Sequence, residues 1–308
     1  MAERQGREDG DDTAPRTREA AARPESLHHD GQHWLLTGPR SDYQRPPAPG
    51  LVPALENAIA IIEMLNRIAP QPASLAEISS ELGISRSHCH SILKTLTAYS
   101  WLRFNDRAKD YQLDMGILPS ISSVFRSGLL DALRDALDVL GQRVQLPLVL
   151  SRPQRNEGFI LVDKFNVAHL MEVSFPIGHR YPRDAVAQMR AYLAWQPPEY
   201  VDEWFARGLP QRYTRRTVVE EKAARAELER TRLRGYARSD EEFAEGLLAI
   251  ALPVFDHEGK VAFVINCTSA KELWQLREQE VAQEMMAAIA RVHFLTGARL
   301  PEPFARGA

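Results

Sequence analysis

The sequence predicts an α+β chain with two folded units, and three patterns along it predict that class. In the first third of the chain, two short runs with helical spacing flank Gly83, and two strand-like runs follow them. In the second half, short apolar runs typical of strands alternate with amphipathic helices, which indicates a sheet with helices packed on it. The segment before these units is rich in charged residues and prolines and poor in aliphatic side chains.

Bulk composition narrows the class of protein. The chain has 308 residues, 44% of them hydrophobic, which is enough for two domains that each bury a core. A net charge of -3 excludes a protein that coats nucleic acid along its whole length, so any DNA contact must come from a local basic patch. Cys89 and Cys267 are too few for a disulfide scaffold and fit a reducing compartment. Without an apolar run of roughly 20 residues or a signal core, we expect a cytoplasmic protein with no membrane partner.

The first ordered segment predicts a helix that begins at Pro53, a residue suited to a first helical turn. Leu55, Ile59, Ile62 and Leu65 recur at helical spacing and are expected to form its buried face.

A helix-turn-helix follows. Ser74 is a polar cap for a short helix, and Gly83 ends that helix because glycine can adopt the left-handed conformation of a tight turn. Ser85 is expected to cap the next helix, in which Cys89 and Ile92 belong to a buried stripe. In such motifs the second helix enters the major groove of DNA.

The outward face of that second helix carries small polar and basic side chains, as a face that reads base edges requires. We expect Arg86, Ser87 and His90 to meet bases and Lys94 to lie nearer phosphate. The full set expected at DNA in this helix is Ser85, Arg86, Ser87, His88, His90, Ser91 and Lys94. The alternative for these residues is an ordinary solvated helix face. A metal site at residues 88–90 is not expected, because consecutive helical positions point in different directions.

A β-hairpin is predicted after the helix-turn-helix. Trp101, Leu102 and Phe104 indicate one strand, residues 111–113 its partner, and residues 105–110 the turn. The hairpin residues expected at DNA are Arg103, Arg107 and Lys109. The positive charge that the whole chain lacks is therefore concentrated where a duplex would lie.

Several stretches have a family resemblance. ELGISRSHCHSILKTL and LRFNDRAKDYQLD lie in the first unit, and SFPIGHRYP, YTRRTV, LRGYARSDEEFAEGLLAIALPVFD and KVAFVINCTSA lie in the second. From about Val52 to Gly297 they resemble the IclR family of bacterial regulators, named after the isocitrate lyase regulator. The resemblance implies a transcriptional regulator that binds operator DNA as a homodimer or homotetramer, with a GAF-like domain that senses small organic acids or aromatic metabolites.

Together these observations divide the chain into five segments. We expect a disordered tail over 1–50, a winged helix-turn-helix DNA-binding domain over 51–114, a linker helix over 115–128, a GAF-like effector-binding domain over 129–298 and a flexible C-terminus over 299–308. In the effector-binding domain, strands are predicted over 146–151, 159–164, 170–173, 249–255 and 260–268. Helices are predicted over 129–142, 186–195, 218–234 and 272–295.

By resemblance, the effector pocket is lined by the loop after Pro182, the segment after Gly235 and the final strand. The residues that this places at the effector are Ala187, Gln188, Ser239, Leu247, Ala249, Asn266 and Thr268. Alternation along a strand puts Asn266 and Thr268 on one face. One of the arginines beside the loop, Arg180 or Arg183, is expected to neutralise an acidic effector through a bidentate pair, and Arg183 is the one assigned to the site. The alternative is a solvated surface arginine.

Two departures from the family pattern bear on function. Ser91 stands where the family commonly has arginine, and the run after Pro182, RDAVAQMRAYLAW, lacks the family's glycine. The bulkier Gln188 and Met189 are expected to reshape the pocket.

Three classes of function remain after these steps. The first is a transcriptional regulator of a catabolic operon that an organic or aromatic acid controls. The second is an enzyme using Asp240, Glu241, Glu242 and His257, although no nucleophile elbow, phosphate loop or zinc motif is present. The third is an effector-independent DNA-binding protein with a closed pocket. We expect the first, with no cofactor, no metal and no catalytic residue.

Overall fold

The computed structural model describes residues 26–29, 34–37, 50–125, 127–155, 157–165, 171–172, 175, 177–274 and 277–305. Most of the predicted tail, residues 1–50, lies outside these ranges. Within it, strands β1 (Ser26–His29) and β2 (Trp34–Thr37) pair antiparallel, and β2 pairs in parallel with β8 (Met171–Glu172). The prediction of disorder is therefore wrong at these two strands. The run WLLT has strand propensity that the polar average of the segment conceals.

Three helices and a small sheet build the N-terminal unit. The helices are α1 (Pro53–Ile68), α2 (Leu75–Leu82) and α3 (Arg86–Ala98). The strands are β3 (Ala73–Ser74), β4 (Leu102–Asn105) and β5 (Asp110–Leu113), which pair antiparallel in the order β3-β5-β4. Their core contains Ile61, Leu65, Ile78, Leu93 and Leu102. The unit is a winged helix-turn-helix, as the sequence predicts.

The turn between α2 and α3 forms through the predicted signals. The Glu77 N–H donates to Ser74 Oγ at 3.3 Å, and the Ser74 N–H donates to the Glu77 carboxylate at 2.7 Å, which makes a capping box. The bond from the Ser74 N–H lowers the pKa of the Glu77 carboxyl. At the other end of α2, Gly83 adopts φ 65° and ψ 22°, and its N–H donates to the Ser79 carbonyl. A residue that tolerates positive φ is needed at this point.

The apolar face of α1 is only partly buried. Ile61, Met64 and Leu65 lie in the core, whereas Leu55 is 62% exposed and Ile59 is 50% exposed. The expectation that Leu55 and Ile59 are buried is wrong for the single chain. The first two turns of α1 extend beyond the helices against which its second half packs.

The segment between the two units is not one helix. Short 3-10 turns at Met115–Ile117 and Ser122–Phe125 flank α4 (Leu118–Ile121), and α5 (Gly128–Val144) then begins. The prediction of a linker helix over 115–128 is therefore corrected to three short turns. A Cβ atom at Gly116 would lie 2.2 Å from the Ser100 carbonyl oxygen, so the chain makes a close approach there that only glycine permits.

The C-terminal unit is an antiparallel sheet between two helical layers. The strands, in the order β10-β11-β12-β6-β7-β9, are β10 (Ala237–Asp240), β11 (Leu247–Phe255), β12 (Val261–Ala270), β6 (Leu148–Gln154), β7 (Gly158–Phe165) and β9 (Arg180–Tyr181). The helices are α6 (Val186–Leu193), α7 (Pro198–Ala206), α8 (Glu221–Arg234), α9 (Lys271–Trp274) and α10 (Glu278–Thr296), in addition to α5. Sequence analysis missed β9, α7 and β10. None of the helices in the described ranges is long and apolar enough to cross a membrane.

Strand β11 lies at the centre of this unit, and every one of its residues is buried. Leu248, Ile250 and Leu252 belong to the core shared with α5 and α10. Ala249 and Ala251 belong to the core on the opposite face, where α6 packs. The two cores therefore meet along a strand whose successive side chains point to opposite layers.

The end of the chain is folded onto the C-terminal unit. Helix α11 (Glu302–Ala305) places the Phe304 ring 5.1 Å from the rings of Trp195 and Phe255, both in T-shaped contacts, and Phe304 is buried. The expectation of a flexible C-terminus over 299–308 is wrong through Phe304, because burial of one aromatic ring offsets the ordering entropy of a short segment.

Candidate functional site

Helix α3 presents its predicted DNA-reading residues on the outside of the N-terminal unit. Cys89, Ile92, Leu93 and Leu96 form the buried stripe, as predicted. The side chains on the opposite side are exposed, apart from a half-buried His88: Ser85, Arg86, Ser87, His90, Ser91 and Lys94. Among the described residues, neither Arg86 nor Lys94 forms an ion pair, so both charges are available to an approaching polyanion.

The start of α3 differs from the expected cap. Ser85 occupies the N-cap position with extended φ −60° and ψ 142°, but its side chain makes no capping hydrogen bond. The first backbone N–H groups of α3 therefore have no partner from that side chain. Unpaired N–H groups at the positive end of a helix dipole form a ready site for a phosphate oxygen.

Ser91 uses part of its hydrogen-bonding capacity within the helix. Its hydroxyl donates to the Ser87 carbonyl at 3.0 Å, and the Thr95 hydroxyl donates to the Ser91 carbonyl at 2.9 Å. The Ser91 oxygen keeps its acceptor capacity while its proton is engaged.

The basic residues of the hairpin β4–β5 differ in whether they already have a partner within the hairpin. Arg103 donates to Gln112 at 2.7 Å, and Lys109 donates to Asp106 at 2.7 Å, a contact that lowers the pKa of the Asp106 carboxyl. Arg107 is exposed and forms no ion pair among the described residues. The tip of the wing therefore holds one uncompensated cation, Arg107, beside a neutralised pair.

A cavity of about 50 Å³ lies between α6 and the sheet of the C-terminal unit. Its lining is apolar with a few neutral polar groups and comprises Pro147, Val149, Phe175, Tyr181, Val186, Ala187, Gln188, Ser239, Phe243, Ala244, Leu247, Ala249, Asn266 and Thr268. All the residues predicted at the effector line this cavity except Arg183. An enclosed, mostly apolar space with a few convergent polar groups is the usual form of a small-molecule site.

Two hydrogen bonds organise the polar part of the cavity. Gln188 Nε2 donates to Ser151 Oγ at 3.1 Å, and Asn266 Nδ2 donates to Thr268 Oγ1 at 2.8 Å. The Asn266 side chain is buried, and its Oδ1 has no hydrogen-bond partner in the part of the chain that the structure describes. A buried unpaired polar atom costs about 1–3 kcal/mol, so Asn266 Oδ1 marks where a ligand's donor would be stabilised.

Arg183 is directed away from the cavity. Its guanidinium lies 4.1 Å above the Trp204 ring and donates to the carbonyl oxygens of Trp204 at 2.9 Å and Gly208 at 2.6 Å. Burial lowers its pKa. The expectation that Arg183 neutralises an effector is not met by this geometry, because the stacking and the two carbonyl acceptors already hold the guanidinium against α7.

Sequence analysis missed a buried ion pair behind the cavity. Arg190, only 2% exposed, donates to the two carboxylate oxygens of Glu242 at 2.6 and 2.7 Å and to the Arg238 carbonyl at 2.6 Å. This pair joins α6 to the segment that carries Phe243 and Ala244, so it connects two walls of the cavity. The available signal was one arginine, the only charged residue in the mostly apolar run between Val186 and Leu193.

The acidic groups of the alternative enzyme hypothesis are engaged in structural contacts. Lys271 Nζ lies 2.6 Å from Asp240 and 2.9 Å from Glu241, and these contacts lower the pKa of the Glu241 carboxyl. Glu242 is held by Arg190, and His257 is exposed on a separate turn. These residues do not converge on a common reaction centre.

Comparison with known proteins matches both units to family models. Residues 124–292 match the model "Bacterial transcriptional regulator IclR C-terminal", and residues 54–106 match the "IclR helix-turn-helix domain". The transcriptional repressor IclR of Escherichia coli is 28% identical over 215 residues, which cover 68% of this chain and 77% of that protein. The acetate operon repressor of Salmonella typhimurium is 26% identical over 215 residues, with the same shares covered, 68% and 77%.

Solved structures share the fold. An IclR transcriptional regulator from Alicyclobacillus acidocaldarius has a TM-score of 0.68 at 20% identity, covering 84% of this chain and 100% of that one. The IclR protein of Thermotoga maritima has a TM-score of 0.67 at 20% identity, covering 79% and 98%. The matched families and relatives are transcriptional regulators and not enzymes. The family model over residues 124–292 spans more than half of the chain. This chain belongs to the IclR family of DNA-binding bacterial transcriptional regulators.

Proposed function

We propose that this regulator reads operator DNA with α3 and the wing, and that a small effector in the cavity behind α6 controls its binding. The observation that carries the proposal is the outward face of α3. There Arg86 and Lys94 are exposed and form no ion pair with any described residue, and the helix N-terminus beside them has no side-chain cap. Arg86, Ser87 and His90 would contact bases, and Lys94, Ser85 and Arg107 would contact phosphates. His88, Ser91, Arg103 and Lys109 complete the proposed contact surface.

The DNA-binding part is tested by selecting bound duplexes from a random library and titrating the selected duplex at several salt concentrations. Arg86→Ala is expected to weaken binding to the selected duplexes by about 1–3 kcal/mol and to relax the sequence preference at one base pair. Lys94→Ala is expected to weaken binding to all duplexes alike. It should also reduce by about 1 the slope of the logarithm of affinity against the logarithm of salt concentration. Arg291→Ala, which removes an exposed arginine on α10, is the matched control. If Arg86→Ala and Lys94→Ala both behave as Arg291→Ala does, α3 is not the reading helix.

Pairing of two copies of the chain would bring two reading helices to one operator. The exposed half of α1 supports this, since Leu55 and Ile59 form an apolar groove with Tyr99 at the end of α3. Apolar groups that a single chain leaves in water are stabilised when a second copy covers them. We therefore propose a homodimer, or a tetramer built from it, acting on the chromosome in the bacterial cytoplasm.

The effector that we propose is an organic or aromatic acid, and the regulated genes a catabolic operon. The name of the acetate operon repressor, one of the relatives, supports this class of gene. The alternative is an effector-independent DNA-binding protein, which the small cavity of about 50 Å³ favours. A thermal-shift screen against short and aromatic acids separates the two, because a ligand that binds only the folded state raises the unfolding midpoint. Regulation by effector is excluded if no acid both stabilises the protein and changes its affinity for the selected duplex.

A further inference from the structure

The cavity is small for an aromatic ligand. Its volume is about 50 Å³. A buried apolar cavity that holds benzene measures roughly 150 Å³, whereas a cavity that holds one water molecule needs roughly 10–15 Å³. As it stands, the cavity therefore has room for a few non-hydrogen atoms and none for a ring with a carboxylate.

The side chain of Gln188 fills the space between the cavity walls. It leaves α6, is only 4% exposed, and donates across to Ser151 Oγ on β6 at 3.1 Å. Ser151 is fully buried within the central strands of the sheet, so the far end of this hydrogen bond is fixed. Gln188 therefore spans the gap from the helical layer to the sheet.

The other large side chains of the lining have less freedom to withdraw. The Phe175 ring makes a T-shaped contact with Tyr181 at 5.6 Å, and the Phe243 ring packs 4.6 Å from Tyr213. Leu247 belongs to the fully buried strand β11. Among the larger lining residues, Gln188 is the unbranched side chain whose shortening would add volume without moving an aromatic cluster or the sheet.

We propose that Gln188 sets an upper size limit on the effector, so that the cavity accepts a compact acyclic acid and excludes an aromatic one. This inference rests on the proposed function, since it names the ligand class of the same site. Among the described residues Asn266 Oδ1 has no hydrogen-bond partner, and it is an acceptor, so a ligand's hydroxyl or N–H would lie toward it and its carboxylate away from it.

The test uses acetate, butyrate and benzoate, which carry the same single charge at pH 7 and differ in size. The affinity of each is measured from the dependence of the thermal unfolding midpoint on its concentration. Wild type is expected to respond to acetate, the smallest member, and not to benzoate. Gln188→Ala is expected to bind benzoate at least tenfold more tightly than wild type does. Gln188→Asn, shorter by one methylene, is expected to move the size limit in the same direction by a smaller amount.

Gln188→Met is the matched control, because it keeps the length and approximate volume of the side chain and removes the hydrogen bond to Ser151. It is expected to exclude benzoate as wild type does. Benzoate binding equally well to wild type and Gln188→Ala, or to neither, would overturn the size limit. Benzoate binding to Gln188→Met as tightly as to Gln188→Ala would also overturn it, since the hydrogen bond and not the bulk would then be responsible.

DNA affinity is measured on the same variants to keep the two proposals distinct. If Gln188→Ala gains benzoate binding while no acid changes affinity for the selected duplex, the size limit holds and effector control fails. If acids change DNA affinity while benzoate binds wild type and Gln188→Ala equally, effector control holds and the size limit fails.

Discussion

Arg190 and Glu242 show how much one buried pair can determine. Both side chains are largely removed from water and bound to each other through two hydrogen bonds. Removing one partner of such a pair leaves an uncompensated buried charge, which costs about 3–5 kcal/mol. The pair also connects α6 to the segment over residues 238–242, so its loss is expected to loosen the cavity as well as the fold.

We therefore expect Arg190→Met to lower the free energy of unfolding by about 3–5 kcal/mol in urea titrations. Arg207→Ala is the control, because Arg207 and Glu203 form a half-exposed pair whose loss costs less than about 1 kcal/mol. Equal losses in the two variants would show that burial of Arg190 adds nothing to its contribution.

His293 makes stability depend on pH. It is buried on α10, its Nε2 accepts the Phe255 N–H at 2.9 Å, and burial lowers its pKa from 6.5 to about 4. Between pH 6.5 and about pH 4, His293 is therefore protonated in the unfolded chain and neutral in the folded chain. The stabilisation from neutral His293 is complete above pH 6.5 and is lost as the pH falls toward 4.

At pH 5 the expected loss from His293 is about 2 kcal/mol relative to pH 7. His293→Gln retains an acceptor for the Phe255 N–H and does not titrate in this range, so its loss of stability between pH 7 and pH 5 should be smaller by that amount. Urea unfolding at both pH values measures the difference. His257→Gln, at an exposed histidine, should keep the wild-type dependence.

At the scale of elements, local signals explain which predictions succeeded. The capping box at Ser74 and the left-handed Gly83 determine both ends of α2, and the helix-turn-helix follows from them. Strands β9 and β10 and helix α7 were missed because their boundaries depend on tertiary contacts. Arg180 and Tyr181 form a strand only by pairing with β7, and α7 carries Trp204 and Phe205 into a core formed by distant segments.

Ser74→Ala is expected to destabilise the N-terminal unit by about 1 kcal/mol, because the Glu77 N–H loses its acceptor. The measurement is hydrogen exchange at the amides of α2 in the full chain, where faster exchange reports the lost cap. Ser87→Ala changes an exposed serine of α3 that caps nothing and should leave those amides unchanged. No change in α2 exchange for Ser74→Ala would contradict the assigned role of the cap.

At the scale of the whole molecule, the exposed first half of α1 predicts association. Leu55→Glu combined with Ile59→Glu should lower the apparent mass by sedimentation or light scattering and weaken binding to a two-half-site duplex. The reason is that a carboxylate buried between two copies would lack a partner. Asn66→Glu adds one negative charge, half of the change in the double variant, at another exposed position of α1 and is the control. An unchanged mass for the double variant would place the interface elsewhere.

The candidate site was predictable in its position but not in its electrostatics or its size. Alternation placed Asn266 and Thr268 on one face of β12, and the resemblance placed Gln188 and Ala249 at the same pocket; all four line the cavity. No sequence pattern shows that Arg183 stacks on Trp204. The rotamer of Arg183 depends on where α7 places the Trp204 ring, and that placement is a tertiary contact. The small volume likewise depends on the distance between α6 and the sheet.

Burial of β11 on both sides has a consequence for the effector control proposed above. Protein interiors are close-packed, so a molecule that binds beside Ala249 would displace atoms on both sides of β11. The displaced strand would press its alternate side chains, such as Ile250, against α5 and α10. Because α5 begins at Gly128, soon after the short turns that follow the wing, an effector bound as proposed would act on the DNA-binding unit through α5.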